Sequence, residues 1–386
     1  MGGQSIRKKI KKTKPDYSFL ISSMVIAVVG LLTLLSASAP KAIASGYSNY
    51  YYVKKQVSIA IIGVVFAIVI YNIDFVKYKK IFVNKTTMYI IYTILIALTL
   101  SVKFFGQEGK GAIRWIKLGP VRLQPSELVK VGLIYFIAAY STIAIEKGYI
   151  KKFWKGIALP LALVGILLGL TYKVQNHLSA SLLMLGTSVT QLVVAGVSLK
   201  YLATIGIVAI TALVALVSRK VKGGDGGFRA NRVKVWRNPF EYIKTVGWQT
   251  VQSLYALASG GFLGAGIGES RQKLSYLPEA QNDFIFSVFA EETGFIGVFF
   301  IIVLFAFFVA RGFLIANSAE DTFSRLLATG VITILTLQII GNLAVVSNTI
   351  PVTGISLPFF SYGGTAIIVN IMEVAILLNI SKHRKN

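Results

Sequence analysis

Cysteine is absent, which excludes disulfides, thiolate metal sites and a thiol nucleophile. Charge is scarce too. Only 14% of the residues are charged against 55% hydrophobic, and the mean hydropathy of +0.69 excludes a water-soluble domain with an ordinary polar shell. A helix needs roughly 20 apolar residues to cross about 30 Å of hydrocarbon. Runs of that order recur along almost the whole length and leave nothing over for a separate globular domain. No convincing cleavage site follows the first run, so it is expected to be a retained span and not a removable signal peptide.

The expected class is all-α, a polytopic integral membrane protein of about ten transmembrane helices. Spans are expected near 17–39, 55–72, 86–104, 126–144, 155–173, 178–197, 199–218, 284–311, 324–346 and 362–381. An even number puts both termini on one side. The first tail carries Arg7, Lys8, Lys9, Lys11, Lys12 and Lys14, and the last carries Lys382, Arg384 and Lys385, so the positive-inside rule places both in the cytoplasm. The loops holding Lys77, Lys79, Lys80 and Lys85, and Lys147, Lys151, Lys152 and Lys155, then fall on the same side. The chain divides into a cytoplasmic basic tail, 1–16, and a single membrane domain, 17–386, with a large external loop, 219–283, between spans seven and eight.

A net charge of +25 raises the question of nucleic acid, since clustered cations neutralise phosphates. The basic residues lie between apolar spans, with no basic helix or aromatic-basic module that reads bases, so membrane lipid and not nucleic acid is the expected partner. Two segments on the external side break the charge asymmetry. Residues 105–125 hold Lys110, Arg114, Lys117 and Arg122, and the long loop includes Arg229, Arg232, Arg271 and Lys273. Either these cations meet anionic headgroups, or they form a docking surface for a phosphate or pyrophosphate that arginine can hold bidentately. Within the loop, Gly223–Gly227 is expected to be a hinge, and the glycine-rich stretch from Gly247 to Gly268 lacks the βαβ context of a dinucleotide site. It suits re-entrant or membrane-hugging helices with close backbone packing.

Ionisable residues inside spans are expensive and mark the interior. Glu127 and Lys130 open the fourth span at i and i+3, on one helix face and close enough to pair. Glu291, Glu292 and Glu373 are expected to be helix-packing partners. His177 reads as a structural hydrogen-bonder or a donor to substrate. Asp283 enters the eighth span from the basic loop. It reads as an N-cap of that helix or as a carboxylate basic enough to take a proton at the lipid boundary.

Long motifs then resemble the SEDS family of shape, elongation, division and sporulation proteins, which includes RodA, FtsW and SpoVE. They are Ser36-Ala37-Ser38, Gly111-Ala112-Ile113-Arg114-Trp115-Ile116, Gln124-Pro125-Ser126-Glu127-Leu128-Val129-Lys130, Leu277-Pro278-Glu279 through Asp283-Phe284-Ile285-Phe286, Glu291-Glu292-Thr293-Gly294, Pro351-Val352-Thr353-Gly354-Ile355 and Leu357-Pro358-Phe359-Phe360-Ser361-Tyr362-Gly363-Gly364. The resemblance runs end to end and leans to the FtsW and SpoVE branch. It departs at Gln175-Asn176-His177-Leu178-Ser179, where the family commonly has Gln-Pro-Asp-Leu-Gly, and at Gln281-Asn282, where His-Thr is usual.

The resemblance implies a bacterial plasma-membrane peptidoglycan glycosyltransferase that polymerises lipid II at the outer leaflet, inverting the transferred sugar, beside a class B penicillin-binding protein. Asp283 is then the expected catalytic base or acceptor-orienting group. Arg114, Arg229, Arg232 and Lys273 are expected to neutralise pyrophosphate, with Trp115, Gln124 and Ser361 also at the substrate and Glu127–Lys130 in support. A divalent cation, Mg²⁺ or Mn²⁺, is compatible with one carboxylate and a diphosphate, and no organic cofactor is expected. A flippase for the lipid-linked precursor and a non-enzymatic scaffold for the crosslinking partner stand as alternatives.

Overall fold

The computed structural model describes residues 14–75, 79–109, 112–119, 121–204, 206, 228–274 and 276–384. Most of the N-terminal basic tail, most of the expected span 199–218 and the glycine hinge at 223–227 lie outside the described residues. The chain is a mostly helical, multi-pass membrane protein. Eight helical segments among the described residues are long and apolar enough to cross a bilayer: Tyr17–Ala44 (α1), Tyr51–Asn72 (α2), Lys85–Phe105 (α4), Pro125–Glu146 (α5), Phe153–Gln175, Ile285–Ser318, Thr322–Val346 and Gly364–Ser381. A four-residue turn, Lys79–Phe82 (α3), precedes α4. The segment at Phe153 opens with a π-helical turn, Phe153–Ala158, and continues as α6, Leu159–Gln175. The shorter apolar α7 spans Leu178–Val194.

Two helices follow in the long connection, α8 (Phe228–Arg237) and α9 (Trp248–Ser259). The last three spans are then α10 (Ile285–Ser318), α11 (Thr322–Val346) and α12 (Gly364–Ser381). Helices α5, α11 and α12 are the most enclosed and form the centre, while α2 packs along α12, α4 along α5 and α1 along α10. The outer helices leave their apolar faces to lipid, as a bilayer solvent allows.

The external segment that carries Arg114 contains an antiparallel sheet of Gly106–Gly109 (β1), Ala112–Leu118 (β2) and Val121–Leu123 (β3), in the order β1-β2-β3. The β-branched and aromatic run Ile113-Arg114-Trp115-Ile116 suits a strand. Trp115 pairs with Gln107 across β1, and Lys117 with Arg122 across β3.

The chain of α10 breaks at Gly294, whose φ of 63° and ψ of −166° belong to a region essentially open only to glycine. The freed backbone groups are satisfied by the glycine-rich stretch after α9. Ala265 and Gly266 donate to the carbonyls of Glu291 and Glu292 at 2.9 and 3.1 Å, while Phe295 and Ile296 donate to Gly261 and Phe262 at 2.9 and 3.2 Å. A broken span is tolerated when its polar backbone is paired inside the protein. Glycine is required because a Cβ on Gly264 would stand 2.2 Å from the Glu292 carbonyl. The close backbone packing expected of this stretch is thus docking against a helix kink.

At the opposite end, the start of α1 is tied to the residues that follow α12. Asp16 caps α1 through the Phe19 amide and accepts from Arg311 and Arg384 at 2.5 and 2.6 Å. Burial alone would raise this carboxyl, but those three donors outweigh it and hold the group below its ordinary value.

Candidate active site

The connection between α11 and α12, residues 347–363, crosses the end of the bundle as a strap. Four of its backbone carbonyls are claimed by side chains of α7, α8 and α11. Arg232 Nη1 on α8 donates to Val352 at 2.8 Å, Trp236 Nε1 to Thr349 at 3.1 Å, and the Ser179 hydroxyl on α7 to Thr353. The fully buried Asn342 of α11 donates to Ile355 at 2.7 Å and to the Asp283 carbonyl at 2.8 Å. One amide therefore fixes both the strap and the backbone of Asp283.

Asp283 is partly exposed, and its carboxylate lies beside Gly354 of the strap, where a Cβ would stand 3.5 Å from Oδ2. It does not cap α10. The N-cap is Phe284, which makes no side-chain capping bond, so the alternative reading of Asp283 as an ordinary helix cap is set aside. The preceding turn is held by Glu279 in the left-handed region, φ 56°. Its Oε2 accepts from Asn282 at 2.7 Å and Gln281 at 3.3 Å, and its Oε1 pairs with Lys41 of α1 at 2.7 Å.

Ser361, expected at the substrate, is used inside the fold. Its hydroxyl donates to the Asn282 carbonyl at 2.8 Å and accepts from the Leu357 amide at 2.8 Å. It joins the strap to the Asp283 turn.

The first basic motif assembles next to this site. On β2, Arg114 donates Nε to Gln175 and Nη2 to Asn176 at 3.0 and 2.8 Å, capping the carbonyl end of α6, and Trp115 follows on the same strand. His177 caps α7 by accepting the Ala180 amide at Nδ1, 3.0 Å away. That fixes the neutral tautomer with its proton on Nε2. Burial, then Arg114 and Lys130, push the imidazole down to about 3. Two residues on, Ser179 reaches the strap, so the Arg114 cluster and Asp283 share one end of the bundle. Below Gln124, Lys130 and Glu127 form the buried pair that their spacing implied, 2.8 Å apart.

Lys273 is placed elsewhere than expected. Its ammonium spends all three donors within the protein, on Ser36 Oγ at 2.7 Å, the Gly268 carbonyl at 2.5 Å and Glu292 Oε1 at 2.8 Å. It is 7% exposed, and its neighbour Glu291 accepts from Ser270 and the amides of Arg271 and Gln272. These two glutamates clamp the long connection to the kink of α10, the packing role expected of them. Of the four expected pyrophosphate cations, Arg232 alone is seen on the strap. Arg229 lies one turn earlier on α8, and its side chain is outside the described residues.

A family model described as Cell cycle protein, for FtsW, RodA and SpoVE, matches residues 16–386. The chain belongs to the FtsW/RodA/SpoVE family. It is 37% identical over 376 residues to a probable peptidoglycan glycosyltransferase FtsW of Trichlorobacter lovleyi, spanning 97% of this chain and 95% of that protein. It is 34% identical over 375 residues to stage V sporulation protein E of Bacillus subtilis, spanning 97% and 99%. Among solved structures, a chain from a peptidoglycan synthase complex in which polymerisation and crosslinking are coordinated superposes with a TM-score of 0.75 at 26% identity, covering 95% and 97%. A mutant of the Thermus thermophilus rod shape determining protein RodA gives 0.68 at 25% identity, covering 96% and 99%.

Three residues that position the site in this family member escaped the sequence reading: Asn342, Glu279 and Ser179. Asn342 carried a usable signal, since an amide within an apolar span has to find a partner. Glu279 stood in a quoted motif but its pairing with Lys41 is made only by the fold, as is the bond from Ser179 to the strap.

Proposed function

We propose that this family member is a peptidoglycan glycosyltransferase that polymerises lipid II at the outer leaflet. The observation that carries the reading is the partly exposed Asp283 carboxylate, held at the mouth of α10 against Gly354, with Arg232 anchored two residues away on the same strap. The opposite end of the bundle carries Lys79, Lys80, Lys85, Lys147, Lys151, Lys152 and Lys155, together with Asp16 and Arg384. By the positive-inside rule that end is cytoplasmic, both termini lie there, and Asp283 faces outward. Residues 1–16 form the cytoplasmic tail of one membrane domain, 17–386.

The chemistry asks little of the protein. An acceptor sugar hydroxyl attacks the anomeric carbon of the donor, the carbon–oxygen bond to undecaprenyl pyrophosphate breaks, and the configuration inverts. Asp283 takes the hydroxyl proton, while pyrophosphate leaves without an acid. Arg232, Arg229 and Arg114 offer positive charge toward the leaving group, and Trp115 on β2 and Gln124 at the N-cap of α5 line the approach. Lys273 and Ser361 support this arrangement through the fold.

A divalent cation would have Asp283 as its protein ligand here. Among the described residues no three His, Asp or Glu side chains gather to cage one, and Glu279 is already committed to Lys41, Gln281 and Asn282. Asp283 would hold it beside the diphosphate oxygens, and it would offset the charge of the leaving group. The partner is a class B penicillin-binding protein, a reading supported by the similar chain from a peptidoglycan synthase complex.

The test is dye-labelled lipid II supplied to the purified protein, with and without a class B partner, in the absence of ATP and ion gradients. Glycan strands are expected. Movement of lipid II across vesicles without polymer would replace the enzyme by a carrier.

A further inference from the structure

At the end of the bundle opposite Asp283, a cleft of about 170 Å³ opens where α4 starts, α5 ends and the π-helical turn leads into α6. Its polar walls are Lys85, Tyr89, Tyr140, Tyr149 and Lys155, with Leu159 on the apolar side. The Tyr140 hydroxyl donates to the Lys155 carbonyl and so fixes the backbone beneath that lysine. Neither Lys85 nor Lys155 belongs to an ion pair among the described residues, whereas nearby Lys79 is bridged to Glu146 at 3.1 Å. The hydroxyls of Tyr89 and Tyr149 make no hydrogen bond among the described residues either. Two cations and two phenolic donors thus line one small volume with no carboxylate among its described lining residues.

The surroundings say what kind of anion fits. Trp154, 77% exposed, packs edge-on against Phe153 at 5.2 Å beside the cleft, the arrangement of an aromatic anchor at headgroup depth. From there the walls run into the membrane as the exposed apolar faces of α4, with Ile90 and Ile94, and of α6, with Leu159 and Ile166. An anion held at Lys85 and Lys155 would have acyl chains lying along those faces.

We propose that this cleft is a binding site for the phosphodiester headgroup of an anionic diacyl phospholipid, held by Lys85 and Lys155 with the hydroxyls of Tyr89 and Tyr149. The site does not depend on the glycosyltransferase reading. Only its assignment to the inner leaflet follows from the topology proposed with that reading.

The test is native mass spectrometry of the purified full chain with added phosphatidylglycerol, phosphatidylethanolamine or soluble glycerol 3-phosphate. Phosphatidylglycerol is expected to bind in preference to the other two. Lys85→Gln and Lys155→Gln should each weaken it about fivefold and the double variant roughly 25-fold, from about 1 kcal/mol per lysine at a membrane surface. Lys85→Arg with Lys155→Arg should restore binding, and Lys151→Gln with Lys152→Gln, outside the cleft, should leave it intact. Unchanged affinity in the cleft variant would overturn the proposal, and so would equal losses in both double Gln variants. Glycerol 3-phosphate binding as tightly as the lipid would overturn the lipid as occupant.

Discussion

The carboxylate of Asp283 and the bare Cα of Gly354 face each other across the end of the bundle, with 3.5 Å between Oδ2 and the place a Cβ would occupy. That distance is an ordinary contact, so a methyl group fits without a clash, but Gly354 has φ +75°, which L side chains adopt at a cost of roughly 1–2 kcal/mol. Gly354→Ala is therefore expected to fold, lose a few degrees of melting temperature and lower the polymerisation rate by reshaping the floor beneath the carboxylate. An unchanged rate would separate the strap from the chemistry.

Glu279 and Lys41 form a bridge whose two ends differ in importance. The pair is 41% and 32% exposed, so its Coulombic contribution is small, about 0–1 kcal/mol. Glu279 also holds Gln281 and Asn282, and through them the turn that aims Asp283. Lys41→Gln should leave turnover near that of the native protein. Glu279→Ala should reduce kcat by roughly tenfold to a hundredfold through misplacement, with lipid II binding retained. Equal effects of the two substitutions on lipid II turnover would refute this division.

His177 gives the fold an acid limit. The neutral ring accepts the Ala180 amide, and burial with Arg114 and Lys130 nearby lowers its pKa from 6.5 to about 3. Below about pH 6.5 the unfolded chain takes up a proton that the native site refuses. Stability from this residue is complete above that pH and declines as pH falls toward 3. His177→Asn keeps a capping side chain without the titration. Melting temperatures in detergent at pH 7.5 and pH 5 should fall less for the variant than for the native protein, and equal declines would assign the acid limit to another group.

Gly294 is the point at which added volume is least tolerable. A Cβ there would stand 2.2 Å from the Gly264 amide nitrogen, in a backbone conformation closed to L side chains. Gly294→Ala is expected to destabilise by more than the ~1–3 kcal/mol of ordinary overpacking, because it also separates four backbone hydrogen bonds between the kink and the Gly261–Gly266 stretch. Near-native thermal stability of this variant would show that the dock is dispensable.

The spans were legible because hydropathy is a local property: the ends of α4, α5 and α11 fall within a few residues of expectation. The Glu127–Lys130 pair was legible for the same reason, since i,i+3 spacing fixes it within one helix. Asp283 could be singled out by its place between a basic loop and an apolar run, but whether it capped a helix depended on the hydrogen bonds of Phe284. Lys273 was misplaced because its partners, Ser36 and Glu292, are 237 and 19 residues away and meet it only through the broken α10. The three-stranded sheet was hidden by glycines and charges at its turns. Glu279 stood in a motif, but its partner Lys41 lies 238 residues away and is brought to it by the fold.

Asp283→Asn in the purified protein tests the central claim most directly, because it removes the charge and changes the shape little. Lipid II binding and melting temperature should stay close to native values while glycan strand formation from lipid II is abolished. Strands formed at the native rate by this variant would contradict a base at position 283.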